Sequence, residues 1–360
     1  MQYLPIRAGL LVAILLLAAT PSLAQAGAQQ PPAPEPREEA MRDVEFEQGS
    51  EAMQRTLDRL IGSHSNGEHS VHIARVHSPA MPFALYVEVS RRGHEVRPDR
   101  QQVWWLSETP DGIKARVNIF PPRNEFHLGT NSADLAVGMW AAPDMFPLLK
   151  TTGYVTLGDL TTRWEGDTLH LESEYPHAIA FGGALYSDTH HLVTAESFAW
   201  RETGTDANGA VVWGESPVEM TRLESTPMAV ELPSGVRYID LREGTGEVIV
   251  EGVSVAMHLE SYTPTGLLLE TTRMPPFKIF VNRVENLPNL GVRQGAMGMK
   301  APFRVRDEEP FSGGVRRVIV PPALGFPRGF PPVLKPDQVL IYNLMLDSIN
   351  PQPGVPEANN

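Results

Sequence analysis

Short apolar segments recur along residues 69–223, each long enough for one strand and rich in valine or aromatic residues. Turn signals such as TPDG, EGD and TDANG separate them. The segments read VHIARV, ALYVEVS, QQVWWLS, KARVNIF, DTLHLESE, HHLVTAESFAW and AVVWG. Runs of this composition between turns predict a meander of antiparallel strands, and therefore a barrel or a sandwich. Residues 145–152 are predicted as a helical turn within this region.

One stretch ahead of the meander has the periodicity of a helix instead. In SEAMQRTLDRLIG, Met53, Leu57, Leu60 and Ile61 fall on one helical face. Ser50 is a suitable N-terminal cap, and Gly62 is a suitable end. The pattern predicts one amphipathic helix before the first strand.

A second set of strand-like segments begins near residue 233, after which Gly-rich and Pro-rich turns separate strands and one short helix. Within it, Arg316 and Arg317 stand directly before the apolar run of residues 318–320, which a double proline ends. Alternation along this strand predicts that one set of side chains enters the core while the other faces solvent. We therefore expect two β-rich domains, at residues 50–226 and 233–350.

The composition narrows the possible chemistry. The chain has 43 acidic and 30 basic side chains, which argues against a nucleic-acid-binding protein because such proteins need a basic face. It has no cysteine, which excludes disulfides, thiolate catalysis and cysteine-ligated metals. His190 and His191 are adjacent on a predicted strand and point to opposite faces, so they do not share one metal ion. We predict no metal site and no cofactor.

The N-terminal sequence has the features of a secretory signal peptide. Arg7 is followed by an apolar core at residues 9–19, and small residues precede a cleavage site after Ala24. An uncleaved membrane anchor is the alternative, but the apolar run is shorter than the ~20 residues that a span needs. We expect a periplasmic or secreted protein with signal peptide 1–24 and no later membrane span. A disordered Pro-rich linker is expected at residues 25–49, and a disordered tail at residues 351–360.

Seven motifs in the second unit occur in an order and at spacings that resemble the FKBP-type peptidyl-prolyl cis-trans isomerases. They are GVRYIDLREGTGE (235–247), VAMHLESYTPTG (255–266), ETTR (270–273), PPFKI (275–279), GAMGMK (295–300), GGVRRVIVPPALGF (313–326) and KPDQVLIYNLML (335–346). The resemblance covers residues 233–350 and implies an FKBP-like α+β domain, in which an antiparallel sheet surrounds a short helix. An insertion at residues 301–312 departs from the family pattern.

The resemblance also implies an apolar pocket for a proline-containing peptide. Phe277 and Tyr342 match aromatic residues of the pocket wall, while Val333 and Leu334 match an apolar flap. Phe326 stands where the family has an aromatic residue with a hydroxyl group that hydrogen-bonds the peptide.

Four further pocket positions differ from the family pattern. Glu270 stands in place of an aspartate, Leu269 in place of a phenylalanine, and Leu259 in place of a tyrosine. Val292 stands at the position of the floor tryptophan. The resemblance implies catalytic roles for Glu270, Phe277, Phe326 and Tyr342, and substrate-binding roles for Leu259, Leu269, Val292, Val333 and Leu334. Because the pocket keeps its apolar character but has lost aromatic rings, we expect weak isomerase activity or none.

The first unit resembles the CpcT/CpeT-type chromophore lyases, which attach bilins to phycobiliproteins. The resemblance covers about residues 52–225 and rests on IGSHSN, ALYVEVSRRGHEVRPDRQQVWWL, GGALYSDTHHLV and WRETGTDANGAVVWG. It implies a lipocalin-like antiparallel β-barrel, a fold that can hold one small ligand. The candidate lining residues are Tyr86, Glu88, Arg97, Arg100, Trp104 and Trp213. Cross-strand packing and salt bridges are the alternative interpretation of these residues.

Three functions follow from these features. The first is an exported peptidyl-prolyl isomerase, a folding helper for proline-containing peptide or protein clients, fused to a ligand-binding barrel. The second is a non-catalytic protein that binds a peptide in a degenerate FKBP pocket and a small ligand in the barrel. The third is a protein similar to the bilin lyases.

Overall fold

The computed structural model describes residues 47–76, 81–120, 136–143, 154–214, 216–263, 267–272, 280–302, 313–329 and 334–350. The expected signal peptide, most of the linker, the helical turn at 145–152 and the expected C-terminal tail lie outside these residues.

The predicted first helix is present as α1 (Glu51–Leu60). The Ser50 side chain accepts a hydrogen bond from the backbone N–H of Met53 at 3.1 Å, as expected for an N-terminal cap. The apolar face is buried in the core of the first domain. Gly62 has a φ of 143°, and the first strand begins there. The prediction of this helix and its ends is confirmed.

The first sheet contains thirteen strands within the described residues. They are β1 (Gly62–Ser65), β2 (His69–Arg75), β3 (Ala84–Arg91), β4 (Arg100–Thr109), β5 (Gly112–Ile119), β6 (Val155–Glu165), β7 (Thr168–Ser173), β8 (His177–Phe181), β9 (Ala184–Val193), β10 (Ser197–Trp200), β11 (Glu202–Thr205), β12 (Val211–Trp213) and β13 (Val218–Arg222).

Ten of these strands close into an antiparallel barrel. The order runs β10-β13-β1-β2-β3-β4-β5-β6-β7-β9, and β9 returns to pair with β10. Strands β8 and β11 pair with β9 outside the closed ring, and β12 pairs with β11. Leu85, Val87 and Trp104 belong to the apolar core of this barrel. The expected fold, mainly β with a barrel first, is confirmed.

The second sheet contains seven strands within the described residues and packs against a short helix. Its elements are β14 (Val230–Glu231), β15 (Arg237–Arg242), β16 (Ser254–Tyr262), β17 (Leu268–Thr271), β18 (Phe280–Arg283), α2 (Leu290–Ala296), β19 (Val315–Val320) and β20 (Leu340–Ile349). The strand order is β14-β15-β19-β20-β16-β17, and β18 pairs with β16.

Helix α2 lies unusually close to the sheet. Asn289 caps its N-terminus by accepting from the N–H of Val292 at 2.9 Å. Gly295 faces Val318 so closely that a Cβ atom at this glycine would lie 2.3 Å from a Val318 methyl group. Only glycine permits this approach without displacing the strand, which explains a glycine inside a helix.

The two sheets share a buried interface. Several residues of β3 and β4 that alternate with the barrel core point outward but are buried. Tyr86 and Val103 belong to one buried cluster with Trp140 and with Ile239 of the second sheet. The outer wall of the barrel at β3 and β4 is therefore a contact surface for the second domain.

Glu88 is a carboxylate inside this interface, with 2% of its surface exposed. It accepts hydrogen bonds from the Tyr86 hydroxyl at 2.5 Å, the Trp140 indole N–H at 2.8 Å and the backbone N–H of Gly138 at 3.0 Å. Burial raises the pKa of Glu88, and the three hydrogen bonds and the nearby Arg317 charge oppose that rise.

Arg317 approaches the same interface from β19 and is fully buried. Its Nε donates to Asn343 Oδ1 at 3.0 Å, and its Nη1 donates to the backbone carbonyl of Val137. The bond to Val137 joins the second sheet to the first domain. Both sheets accordingly lie in one compact unit, residues 42–360.

The expectation that this strand sends one set of side chains to solvent is wrong at the arginine pair. Arg316 is also buried, with 4% of its surface exposed. Its guanidinium donates to both oxygens of Asp240 at 2.6 and 2.9 Å and to the carbonyls of Gly295 and Met297 at the end of α2. Arg316 therefore holds the helix on one face of the sheet, while Arg317 holds the barrel on the other.

Replacing Arg317 with Met should lower the free energy of unfolding by about 3 kcal/mol, because buried hydrogen-bond acceptors lose their charged donor. Urea denaturation measures this. Arg163→Met is the matched control, since Arg163 makes an exposed ion pair with Glu165 and its loss should change stability by less than about 0.5 kcal/mol. Equal stability of the two variants would contradict the role given to Arg317.

Candidate functional site

Four of the predicted pocket residues lie together in the core of the second domain. Leu259, Val292, Leu334 and Tyr342 are all buried in one apolar cluster, and Leu269 packs against it half-buried. They come from β16, α2, β17, β20 and the segment before β20. The pairing of β16 with β20 and the close packing of α2 on β19 bring these segments together.

Tyr342 is the polar group of this cluster. Its oxygen accepts a hydrogen bond from Asn289 Nδ2 at 2.9 Å. Burial, with a smaller contribution from the charge of Glu270, raises the pKa of Tyr342 to about 12 against the opposing effect of the Asn289 hydrogen bond, so Tyr342 remains a neutral phenol at physiological pH. Glu270 itself is exposed on β17. Asn289 was not predicted from the sequence as a site residue, although an Asn directly before an apolar helical segment is a recognisable cap.

The structure describes only some of the remaining predicted site residues. Phe326 follows the short helical turn Pro322–Leu324, and 38% of its surface is exposed. Phe277 and Val333 lie outside the described residues. The structure thus gathers five of the nine predicted residues, with Glu270 nearby and Phe326 at the surface.

The first domain contains a cavity of about 650 Å³. It combines residues of barrel strands β4, β5, β6 and β9 with residues of β8, β11 and β12, the three strands outside the closed ring. Its volume is in the range of small-molecule sites.

Two of the six residues predicted to line the barrel, Arg100 and Trp213, do line this cavity. Trp104 lies in the barrel core and stacks on His191, one of the cavity residues. The other three residues do not lie inside the barrel, so their prediction as lining residues is wrong. Tyr86 and Glu88 point outward into the interface, because they alternate with the inward residues of β3. Arg97 instead lies 3.6 Å from Glu260 of the second domain.

The charged groups of the cavity are paired. Arg100 Nε donates to Glu202 Oε2 at 2.9 Å, and Gln102 Nε2 lies 3.4 Å from Glu202 Oε1. Gln102 Oε1 in turn accepts from the indole N–H of Trp104 at 2.7 Å. Because the carboxylate already has its counter-ion, the cavity presents no unbalanced charge among these groups.

His191 lines the cavity from β9 and is 1% exposed. Its ring stacks on Trp200, with centroids 4.1 Å apart, and its Nδ1 accepts from the backbone N–H of Arg201 at 3.1 Å. Burial lowers the pKa of His191 to about 3, so the ring is neutral. The neighbouring His190 points to the opposite face of the strand, as predicted.

The ring of His190 takes part in a cluster on the outer barrel face. The possible metal-binding atoms of His170, Glu172 and His190 lie within 4.8 Å of one another. However, Arg163 Nη2 lies 3.4 Å from His170 Nδ1 and 3.5 Å from Glu172 Oε1, so a cation of the chain already faces these groups. We interpret the cluster as an ion-pair network.

Comparison with known proteins finds similarity over about a third of the chain. Two curated proteins of Arabidopsis thaliana match: peptidyl-prolyl cis-trans isomerase FKBP16-1, chloroplastic, is 28% identical over 117 residues, which are 31% of this chain and 50% of the relative. Peptidyl-prolyl cis-trans isomerase FKBP16-3, chloroplastic, is 28% identical over 134 residues, 35% of this chain and 54% of the relative. The chain thus spans about half the length of these relatives. No protein-family model matches it.

Solved structures match at lower identity. FkpA from Escherichia coli is 18% identical with a TM-score of 0.30, covering 35% of this chain and 53% of that chain. AtFKBP13 is 22% identical with a TM-score of 0.28, covering 33% of this chain and 97% of that chain. Over about a third of its length, the chain is similar to FKBP-type peptidyl-prolyl isomerases. No helix among the described residues has the length and apolarity to span a membrane.

Replacing His191 with Phe should remove a pH-dependent contribution to stability. The folded-state pKa of about 3 lies below the ordinary value of 6.5, so between these values the unfolded chain binds a proton that the folded chain does not. This contribution is present above the ordinary pKa and is lost as pH falls, by about 1.4 kcal/mol per pH unit. The difference in unfolding free energy between wild type and variant, measured in urea between about pH 5.5 and pH 4, should therefore change with this slope. A difference that is independent of pH would contradict a neutral buried His191.

Proposed function

We propose that residues 233–350 act as an FKBP-type peptidyl-prolyl cis-trans isomerase in an exported protein, and that the barrel holds a small ligand. The observation that carries the isomerase proposal is the cluster in the second domain. Leu259, Val292, Leu334 and Tyr342 are far apart in sequence, were chosen from motifs alone, and share one buried apolar cluster. Similarity to relatives named peptidyl-prolyl isomerases supports the same conclusion.

Isomerisation of an X–Pro bond requires little chemical apparatus. The barrier of ~18–20 kcal/mol comes from amide resonance, and the twisted amide is less polar than the planar one. A water-poor apolar pocket that holds the proline ring therefore favours the twisted state. No nucleophile is needed.

The residues of this domain supply such an environment. Leu259 and Val292 are buried apolar residues of this cluster, and Tyr342 is its polar group. Because Asn289 Nδ2 donates to the Tyr342 oxygen, the phenol proton is available to a peptide carbonyl. Glu270, whose charge acts on Tyr342, is suited to interact with the twisting amide.

A second candidate function is peptide binding without turnover. Leu259, Leu269 and Val292 stand where the resemblance implies aromatic rings, and Phe326 lacks the hydroxyl group of its counterpart. A pocket without these rings grips the proline ring less firmly and stabilises the twisted state less. The rate of cis–trans isomerisation in the presence of the chain separates the two functions.

Export and the client class complete the proposal. Residues 1–24 have the sequence features of a signal peptide, and a chain without cysteine folds independently of redox conditions. We infer that the clients are proline-containing segments of exported proteins. Bilin attachment is not part of the proposal.

The full chain should accelerate cis–trans isomerisation of a proline peptide in a protease-coupled assay. Phe277→Ala should lower the catalysed rate by about tenfold or more, because the family resemblance assigns Phe277 to the aromatic wall that holds the proline ring. Arg163→Gln, on the outer barrel face, should leave the rate unchanged. A wild-type chain that unfolds cooperatively but gives only the uncatalysed rate would overturn the isomerase proposal in favour of peptide binding.

A further inference from the structure

The barrel cavity has two chemically different walls. Strand β9 contributes Ser187, Thr189 and His191, which occupy alternate positions and so point to one side of the strand. Same-side residues of a strand are about 6.7 Å apart, so these three form a polar row about 13 Å long. Strands β5 and β6 contribute Val117 and Leu160, which add apolar surface to the cavity.

His191 is the strongest indication of a ligand in this row. Its Nδ1 accepts a hydrogen bond from a backbone N–H, and its ring is neutral, so the proton resides on Nε2. Within the described part of the chain, no residue accepts a hydrogen bond from Nε2. Aromatic contacts with Trp104, Phe198 and Trp200 fix the plane of the ring. Because His191 lines the cavity, this donor, held in one orientation, is available to an acceptor inside the cavity.

The charge distribution limits what that acceptor is. A carboxylate of a ligand would be buried beside a neutral imidazole. Arg100, which also lines the cavity, is already paired with Glu202 at 2.9 Å and so is not a free counter-ion for it. An unpaired buried anion is strongly disfavoured. A neutral oxygen such as a carbonyl satisfies Nε2–H without this cost, and the apolar wall of the cavity suits an aromatic or aliphatic body.

We propose that the barrel binds a neutral, largely apolar carbonyl compound, whose oxygen accepts from His191 Nε2–H and whose body lies against Val117 and Leu160. This inference rests on the proposed ligand-binding function of the barrel and names its ligand class. It is independent of the isomerase pocket.

Equilibrium dialysis of the full chain with benzophenone and with diphenylmethane tests the proposal. The two probes have the same rings, but only benzophenone has a carbonyl group. His191→Phe keeps an aromatic ring and removes the donor. We expect the ratio of benzophenone to diphenylmethane affinity to fall about tenfold in this variant, since one buried hydrogen bond is lost. An unchanged ratio in a folded variant would overturn the proposal.

Two further measurements on the wild-type chain keep the test decisive if the variant does not fold. The carbonyl stretching frequency of bound benzophenone should be lower than in hexane, as in a hydrogen-bonded ketone, and an unshifted frequency overturns the proposed contact. Diphenylacetate should bind more weakly than benzophenone, and tighter binding of this anion overturns the choice of a neutral ligand. If no probe binds, the ligand-binding function of the barrel fails as well, whereas the isomerase assay is unaffected.

Discussion

Two opposite charges are buried between the two sheets, and the structure depends on the hydrogen bonds that stabilise both of them. Glu88 of the barrel and Arg317 of the second sheet are almost fully removed from water. Each is tolerated only because fixed donors or acceptors surround it, namely the groups of Tyr86, Trp140 and Gly138 for the carboxylate and those of Asn343 and Val137 for the guanidinium. The three donors to Glu88 all belong to the first domain, whereas the acceptors of Arg317 come from both domains, so the second domain alone does not complete the set around the guanidinium.

This constraint links the two candidate sites. Strand β19 carries Arg317 on the face toward the barrel, while Val318 on the other face packs against helix α2, close to Val292. The position of the proposed peptide pocket is therefore tied to the strand that binds the barrel. On the barrel side, β4 contributes Val103 to the interface and Gln102 to the cavity on its two faces. One strand in each domain thus serves the shared interface on one side and a candidate site on the other.

Ordered motifs named Leu259, Val292, Leu334 and Tyr342, which share the buried core of the second domain, and their role as a peptide pocket stays a prediction. Local patterns in the sequence were sufficient to predict helix α1 and most long strands, because these depend on periodicity. They were insufficient for Tyr86 and Glu88. A strand covered on both faces has no solvent side, and the chain that covers β3 lies far away in sequence, as the contact between Arg317 and Val137 illustrates. The polar residues of β3 were therefore assigned to the barrel lumen. The significance of His191 also required the structure, since its tautomer depends on a neighbouring strand end.

The central claim is that the second domain catalyses rotation about X–Pro bonds. Two-dimensional NMR exchange spectroscopy of a proline peptide with a catalytic amount of the full chain tests it most directly, because it observes the cis and trans forms at equilibrium. Catalysis by the second domain would give exchange cross-peaks between the two forms that are absent from the free peptide and lost with Phe277→Ala. Peptide resonances that shift on binding but show no exchange between the cis and trans forms would contradict it and would identify the domain as a binding module.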